Sequence, residues 1–92
     1  MPVITIYTKS TCGYCASAKE LLRQKGAAFT EISVDGDPAG QAAMAARANG
    51  RWTVPQIFVG EKHVGGCDDL YGLERAGGLD PLLAGQNDQV RA

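Results

Sequence analysis

The sequence predicts a single α/β domain with the element order βαβαββα and a mixed four-stranded sheet flanked by helices. Two observations lead there. Short β-branched or aromatic runs alternate with stretches whose apolar residues fall at helical spacing, and a strand, helix and strand in that order make a right-handed parallel unit. Further along, two short apolar runs flank Gly60-Glu61, the mark of a tight antiparallel hairpin. A chain of 92 residues suffices for one such domain with one modest core and not for two.

Val3 to Tyr7 is the first strand, and Thr8-Lys9-Ser10-Thr11 is the turn that leaves it. Cys15, Ala18, Leu21, Leu22 and Lys25 then recur at helical spacing until Gly26 stops the helix. Phe29 to Val34 supplies a second strand, with Ala28, Thr30, Ile32 and Val34 on one face and Phe29, Glu31 and Ser33 on the other. Asp37 is an N-cap followed by Pro38 at the first helical position, and the alanine-rich Ala39 to Ala48 runs to a stop at Asn49-Gly50. After Pro55, Gln56 to Val59 and Lys62 to Val64 form the hairpin, which ends at Gly65-Gly66. Cys67 to Ala76 make a third helix before Gly77-Gly78, and Asp80-Pro81 caps a last short turn that carries Leu82 and Leu83 onto the core. The domain is expected to span residues 1–84, with the polar stretch 85–92 as a flexible tail that has no apolar face to bury. This is a minimal thioredoxin-like fold.

Composition narrows the function. Nine Lys plus Arg against ten Asp plus Glu give a net charge of -1, which points away from nucleic acid and anionic membranes. No apolar run approaches the roughly 20 residues that span a bilayer. Met1-Pro2 leads straight into a strand without the basic and apolar regions of a secretion signal, so a cytoplasmic location is expected. In such a reducing compartment three cysteines, an odd number, do not form a disulfide framework and call for chemistry or burial instead.

Thr11-Cys12-Gly13-Tyr14-Cys15 sits where the first strand hands over to the first helix. Cys12 is thereby placed at a helix N-terminus, whose unpaired N–H groups favour a thiolate. A helix start, a nearby lysine and C-x-x-C spacing each lower a cysteine pKa from about 8.5, and Cys12 has all three, with Lys9 three residues upstream. Cys15 lies one turn further in, able to reach the Cys12 sulfur and directed toward the core. Cys12 is therefore the expected nucleophile and Cys15 the resolving thiol. The same spacing serves zinc, but the rest of the chain offers only Cys67 and His63, without paired spacing. No metal site is expected from these residues. His63 is read as a surface strand residue, and Cys67 as a small buried hydrophobe.

The segments Lys9-Ser10-Thr11-Cys12-Gly13-Tyr14-Cys15, Thr53-Val54-Pro55 and Gly65-Gly66-Cys67-Asp68-Asp69 together resemble the three signatures of the dithiol glutaredoxins, and the resemblance covers Val3 to Leu83. It departs at Gly13, where the family commonly has proline.

The resemblance implies a glutathione-dependent thiol-disulfide oxidoreductase, with glutathione as co-substrate. Val54-Pro55 would be a cis peptide facing Cys12; on the residues alone a trans proline opening a strand is equally open. The Val54 backbone would then pair with the peptide-like part of glutathione as an added strand, with Thr53 beside it. Gly66, Cys67 and Asp68 would form a helix N-terminus that holds the γ-glutamyl carboxylate, with Asp68 receiving the ligand's amino group. Read alone, Asp68 and Asp69 only favour a helix start. Lys9 would meet the glycine carboxylate, and Tyr14 would pack beside the bound sulfur. Arg51 and Trp52 flank Pro55 without an assigned role. Glutathionylated or disulfide-bearing proteins are the implied substrates, glutathione reductase an indirect partner through oxidised glutathione, and the chain a monomer. Two other readings stay open: a redoxin served by thioredoxin reductase, and a dimer in which two Cys12 thiols and two glutathiones hold a 2Fe-2S iron-sulfur cluster.

Overall fold

A computed structural model describes residues 2–85. It has four strands and four helices: β1 (Ile4–Thr8), α1 (Gly13–Gln24), β2 (Thr30–Ser33), α2 (Pro38–Arg47), β3 (Gln56–Val59), β4 (Lys62–Gly65), α3 (Cys67–Arg75) and α4 (Leu79–Leu83). The sheet order is β2-β1-β3-β4, with β1 parallel to β2 and antiparallel to β3, and β3 antiparallel to β4. The expected mixed sheet is thus present.

Strand alternation divides the molecule into two layers. Ile4, Ile6, Ile57 and Val59 face Ala18, Leu21 and Leu22 of α1, Cys67 and Leu70 of α3, and Leu79, Leu82 and Leu83 of α4. Each large side chain in this cluster contributes roughly 1.5–3 kcal/mol by leaving water. On the opposite face Phe58 lies under the guanidinium of Arg47, 4.1 Å from the ring centroid, in the layer where α2 buries Met44 and Ala45. The helices start where local chemistry directs. Asp37 accepts from the Gly40 N–H at 3.0 Å with Pro38 at the first position, as expected of α2.

Three details differ from the sequence reading. All four residues of β2 are exposed, because β2 is an edge strand; its core anchors are the half-buried Phe29 before it and the buried Val34 after it. The last helix begins at Leu79, and its cap is Gly78, two residues before the expected cap Asp80, so that Leu79 also enters the core. His63 is not a surface residue but half-buried, with its ring stacked on Phe58 at 4.9 Å. Of the expected tail, Gly85 donates its N–H to the Leu82 carbonyl at 3.0 Å, and 86–92 lie outside the described residues. Among the described residues no helix is long and apolar enough to cross a membrane.

Candidate active site

Cys12 is the N-cap of α1, in extended backbone, and its sulfur accepts the Cys15 N–H at 3.1 Å. A backbone dipole and the start of a 12-residue helix therefore converge on that sulfur. The Cys12 Sγ also lies 3.6 Å from the Val54 carbonyl, to which a thiol there donates. Val54-Pro55 is a cis peptide. The turn into α1 is held from behind: Cys12 donates to the Lys9 carbonyl at 3.2 Å, and Ser10 donates its N–H to the Asp35 carboxylate at 2.8 Å. Those Ser10 contacts, with Ser33 and Lys9 nearby, hold Asp35 below the usual carboxylate range.

The two sulfurs of the motif occupy different surroundings. Cys12 is half-buried, whereas Cys15 is 1% exposed. Burial first, then the hydrogen bond with the Cys12 sulfur, pushes the Cys15 thiol up to about 12. Cys15 therefore stays protonated at neutrality. Cys67 is buried too, and burial, with Asp68 and the Cys12 sulfur adding, raises its thiol.

Beside Cys12 opens a cleft of about 300 Å³, at the lower end of small-molecule sites, lined by Tyr14, Thr53, Val54, Pro55, Gly66, Cys67 and Asp68. All seven are residues singled out in the sequence. Lys9, Cys12 and Cys15, singled out with them, do not line the cleft: Lys9 is half-buried in the turn between β1 and α1, Cys15 is buried, and the Cys12 sulfur meets the edge of the cleft at the Val54 carbonyl. The cleft adds two side chains, Arg51 and Asp69.

Arg51 and Asp69 form one unit. Asp69 accepts the Gly66 N–H at 2.8 Å, closing the first turn of α3, and pairs with the Arg51 guanidinium at 3.1 Å. The Gly66 N–H first, and Arg51 after it, hold the Asp69 carboxyl below its ordinary value. Gly65 must be glycine for this to fit: its φ is +118°, and a Cβ there would collide with the Asp69 carboxylate and lie 2.9 Å from Arg51. Nothing local marked Arg51, because its partner is 18 residues away.

Among the described residues no group of three or more His, Cys, Asp or Glu is placed to hold a metal ion.

A reachable sulfur at a helix start, a buried partner three residues on and a cis-proline opposite, all on this sheet, define a thioredoxin-like thiol-disulfide oxidoreductase. Comparison with known proteins narrows the class. The glutaredoxin family model matches residues 4–64. The chain is 55% identical over 83 residues to glutaredoxin 3 of Escherichia coli, covering 90% of this chain and 99% of that protein. It is 57% identical over 84 residues to a glutaredoxin of Pseudomonas aeruginosa, covering 91% and 99%. The crystal structure of a buckwheat glutaredoxin-glutathione complex matches with a TM-score of 0.83 at 38% identity, over 91% of this chain and 78% of that one. The solution structure of a Brucella melitensis glutaredoxin matches at 0.80 and 55% identity, over 90% and 89%. The chain belongs to the glutaredoxin family.

Proposed function

We propose that the chain uses glutathione to reduce protein-glutathione mixed disulfides and protein disulfides, acting as a monomer. The observation that carries this is the cleft itself. It brings the Thr53–Val54 backbone and the N-terminus of α3 into one small-molecule volume, and the Val54 carbonyl on its wall lies 3.6 Å from the Cys12 sulfur. A γ-glutamyl tripeptide needs those three features: a thiol to meet, a strand to lie against and N–H groups for its α-carboxylate. Asp68 receives the tripeptide's ammonium group, and Tyr14 covers the bound sulfur. Lys9 meets the glycine carboxylate from the turn before Cys12, and Arg51 adds a second cation on the cleft wall.

In the reaction, the Cys12 thiolate attacks the glutathione sulfur of a mixed disulfide. The protein thiolate leaves and takes up a proton, and Cys12 is left glutathionylated. A second glutathione thiolate attacks that bond, releasing glutathione disulfide, which glutathione reductase recycles. With a protein disulfide, Cys12 forms the mixed disulfide and Cys15, once it loses its proton, displaces the substrate thiol. Two glutathiones then reduce the Cys12–Cys15 bond.

A coupled assay with glutathione and glutathione reductase tests the reading. Turnover there, and none with thioredoxin reductase, is the expected result. The reverse pattern overturns it.

One observation favours a second reading. Nothing lies within 4 Å of where a Gly13 side chain would be, apart from its neighbours in the chain, so that position of the motif has free space around it. With Cys15 and Cys67 buried, a 2Fe-2S iron-sulfur cluster would take one Cys12 from each of two chains and two glutathione thiols. A coloured dimer from anaerobic purification with glutathione supports it, and a colourless monomer excludes it.

A further inference from the structure

The Thr53–Val54 segment is held from the α2 side of the sheet by side chains whose hydrogen bonds all run one way. Gln56 is fully buried, at 0% exposure. Its Nε2 lies 3.0 Å from the Thr53 carbonyl and 3.3 Å from the Thr53 hydroxyl, so the amide donates there and its oxygen must accept. That oxygen meets His63 Nε2 at 2.7 Å. His63 therefore carries its proton on Nε2, which leaves Nδ1 as an acceptor, and the Asn49 amide stands 3.5 Å from it with a proton to give. The partners alone fix this tautomer. The surroundings keep the ring neutral: burial and the cations Arg51 and Arg47 disfavour the imidazolium, and Asp69 only partly offsets them.

The run ends on the peptide that faces the cleft. Among the described residues, the hydrogen bond that Val54 makes uses its carbonyl, which leaves its N–H for a ligand. A donor on the Thr53 carbonyl draws electron density from that peptide and makes the N–H on its other edge a stronger donor.

We propose that Asn49, His63 and Gln56 are positioning residues that orient and polarise the Thr53–Val54 peptide, so that the Val54 N–H binds the backbone of the incoming tripeptide more tightly. This rests on the reading that glutathione lies along Val54.

The test uses the full chain, reduced and without ligand, then titrated with glutathione. Long-range ¹⁵N–¹H correlation on the parent protein should find His63 protonated at Nε2; protonation at Nδ1 overturns the proposal. His63→Phe keeps a ring against Phe58 and removes the Nε2 donor. In this variant the Val54 amide proton should move upfield and the glutathione dissociation constant should rise about two- to tenfold. A folded variant with the Val54 resonance unmoved, or with unchanged affinity, overturns it. If His63→Phe does not fold, Asn49→Ala removes only the first link and should move the same resonance the same way by less. A parent chain that binds no glutathione sinks the functional reading instead, and the Val54 resonance still decides whether the relay exists.

Discussion

The Cys15 N–H points at the Cys12 sulfur from 3.1 Å, while the Cys15 side chain sits 1% exposed beneath it. One residue thus does two jobs, its backbone serving the outer sulfur and its thiol waiting in the core. Cys12→Ser should reduce both deglutathionylation and disulfide reduction to background. Cys15→Ser keeps the backbone donor, so it should retain deglutathionylation within about threefold and lose disulfide reduction. Steady-state assays with a glutathionylated peptide and a disulfide-bonded protein check this; equal loss in both would break the division of labour.

Gly13 occupies the first position of α1 with open space where its Cβ would be. Proline suits that position, because the N–H it removes has no partner within the helix. Gly13→Pro should stabilise the protein by about 0.4–1 kcal/mol by restricting the unfolded chain. Urea unfolding of the reduced protein measures it, and a lower midpoint would show that the turn needs glycine's freedom.

Gly65 is the converse case. With φ at +118° and the Arg51–Asp69 pair against it, Gly65→Ala should cost about 1–3 kcal/mol and displace both side chains from the cleft. Glutathione affinity should fall with it. Calorimetry and a ligand titration on the same sample separate the two effects, and an unchanged affinity would show that the pair does not shape the site.

His63 sets a pH window. Its folded-state pKa lies below the ordinary 6.5, chiefly through burial and then through Arg51 and Arg47, against Asp69. The folded protein therefore holds fewer protons than the unfolded chain, and this contribution to stability is complete above about pH 6.5 and is lost as pH falls below it. Thermal midpoints from pH 7.5 to 5.5 should drop, and His63→Phe should flatten the profile in that interval. Asp69, Asp35 and Glu31, whose values are lowered from the carboxylate range, act only at more acid pH and do not mask it.

The parts of the site that the sequence made legible are those written in consecutive residues. Cys12 to Cys15 carry their own helix start, and Gly65 to Asp69 combine a turn with a cap. The lining of the cleft followed from three such segments. What stayed hidden depends on contacts across the fold. Arg51 acquires its place from Asp69, and His63 is turned inward by Phe58 and Gln56, neither of which any local pattern announces. Lys9 lies in the turn between β1 and α1, outside the residues that line the cleft, as does Cys12 three residues on. The exposed β2 shows that a strand can alternate correctly and still lie at the rim, because its neighbours, not its own residues, decide what covers it.

The burial of Cys15 also fixes the kinetic order of events. Any encounter from solution must begin at Cys12, so capture of a substrate follows the concentrations of both molecules. Release by an inner thiol that already sits within hydrogen-bond reach of that sulfur would be a step inside one molecule, at a rate that crowding the solution with substrate does not change.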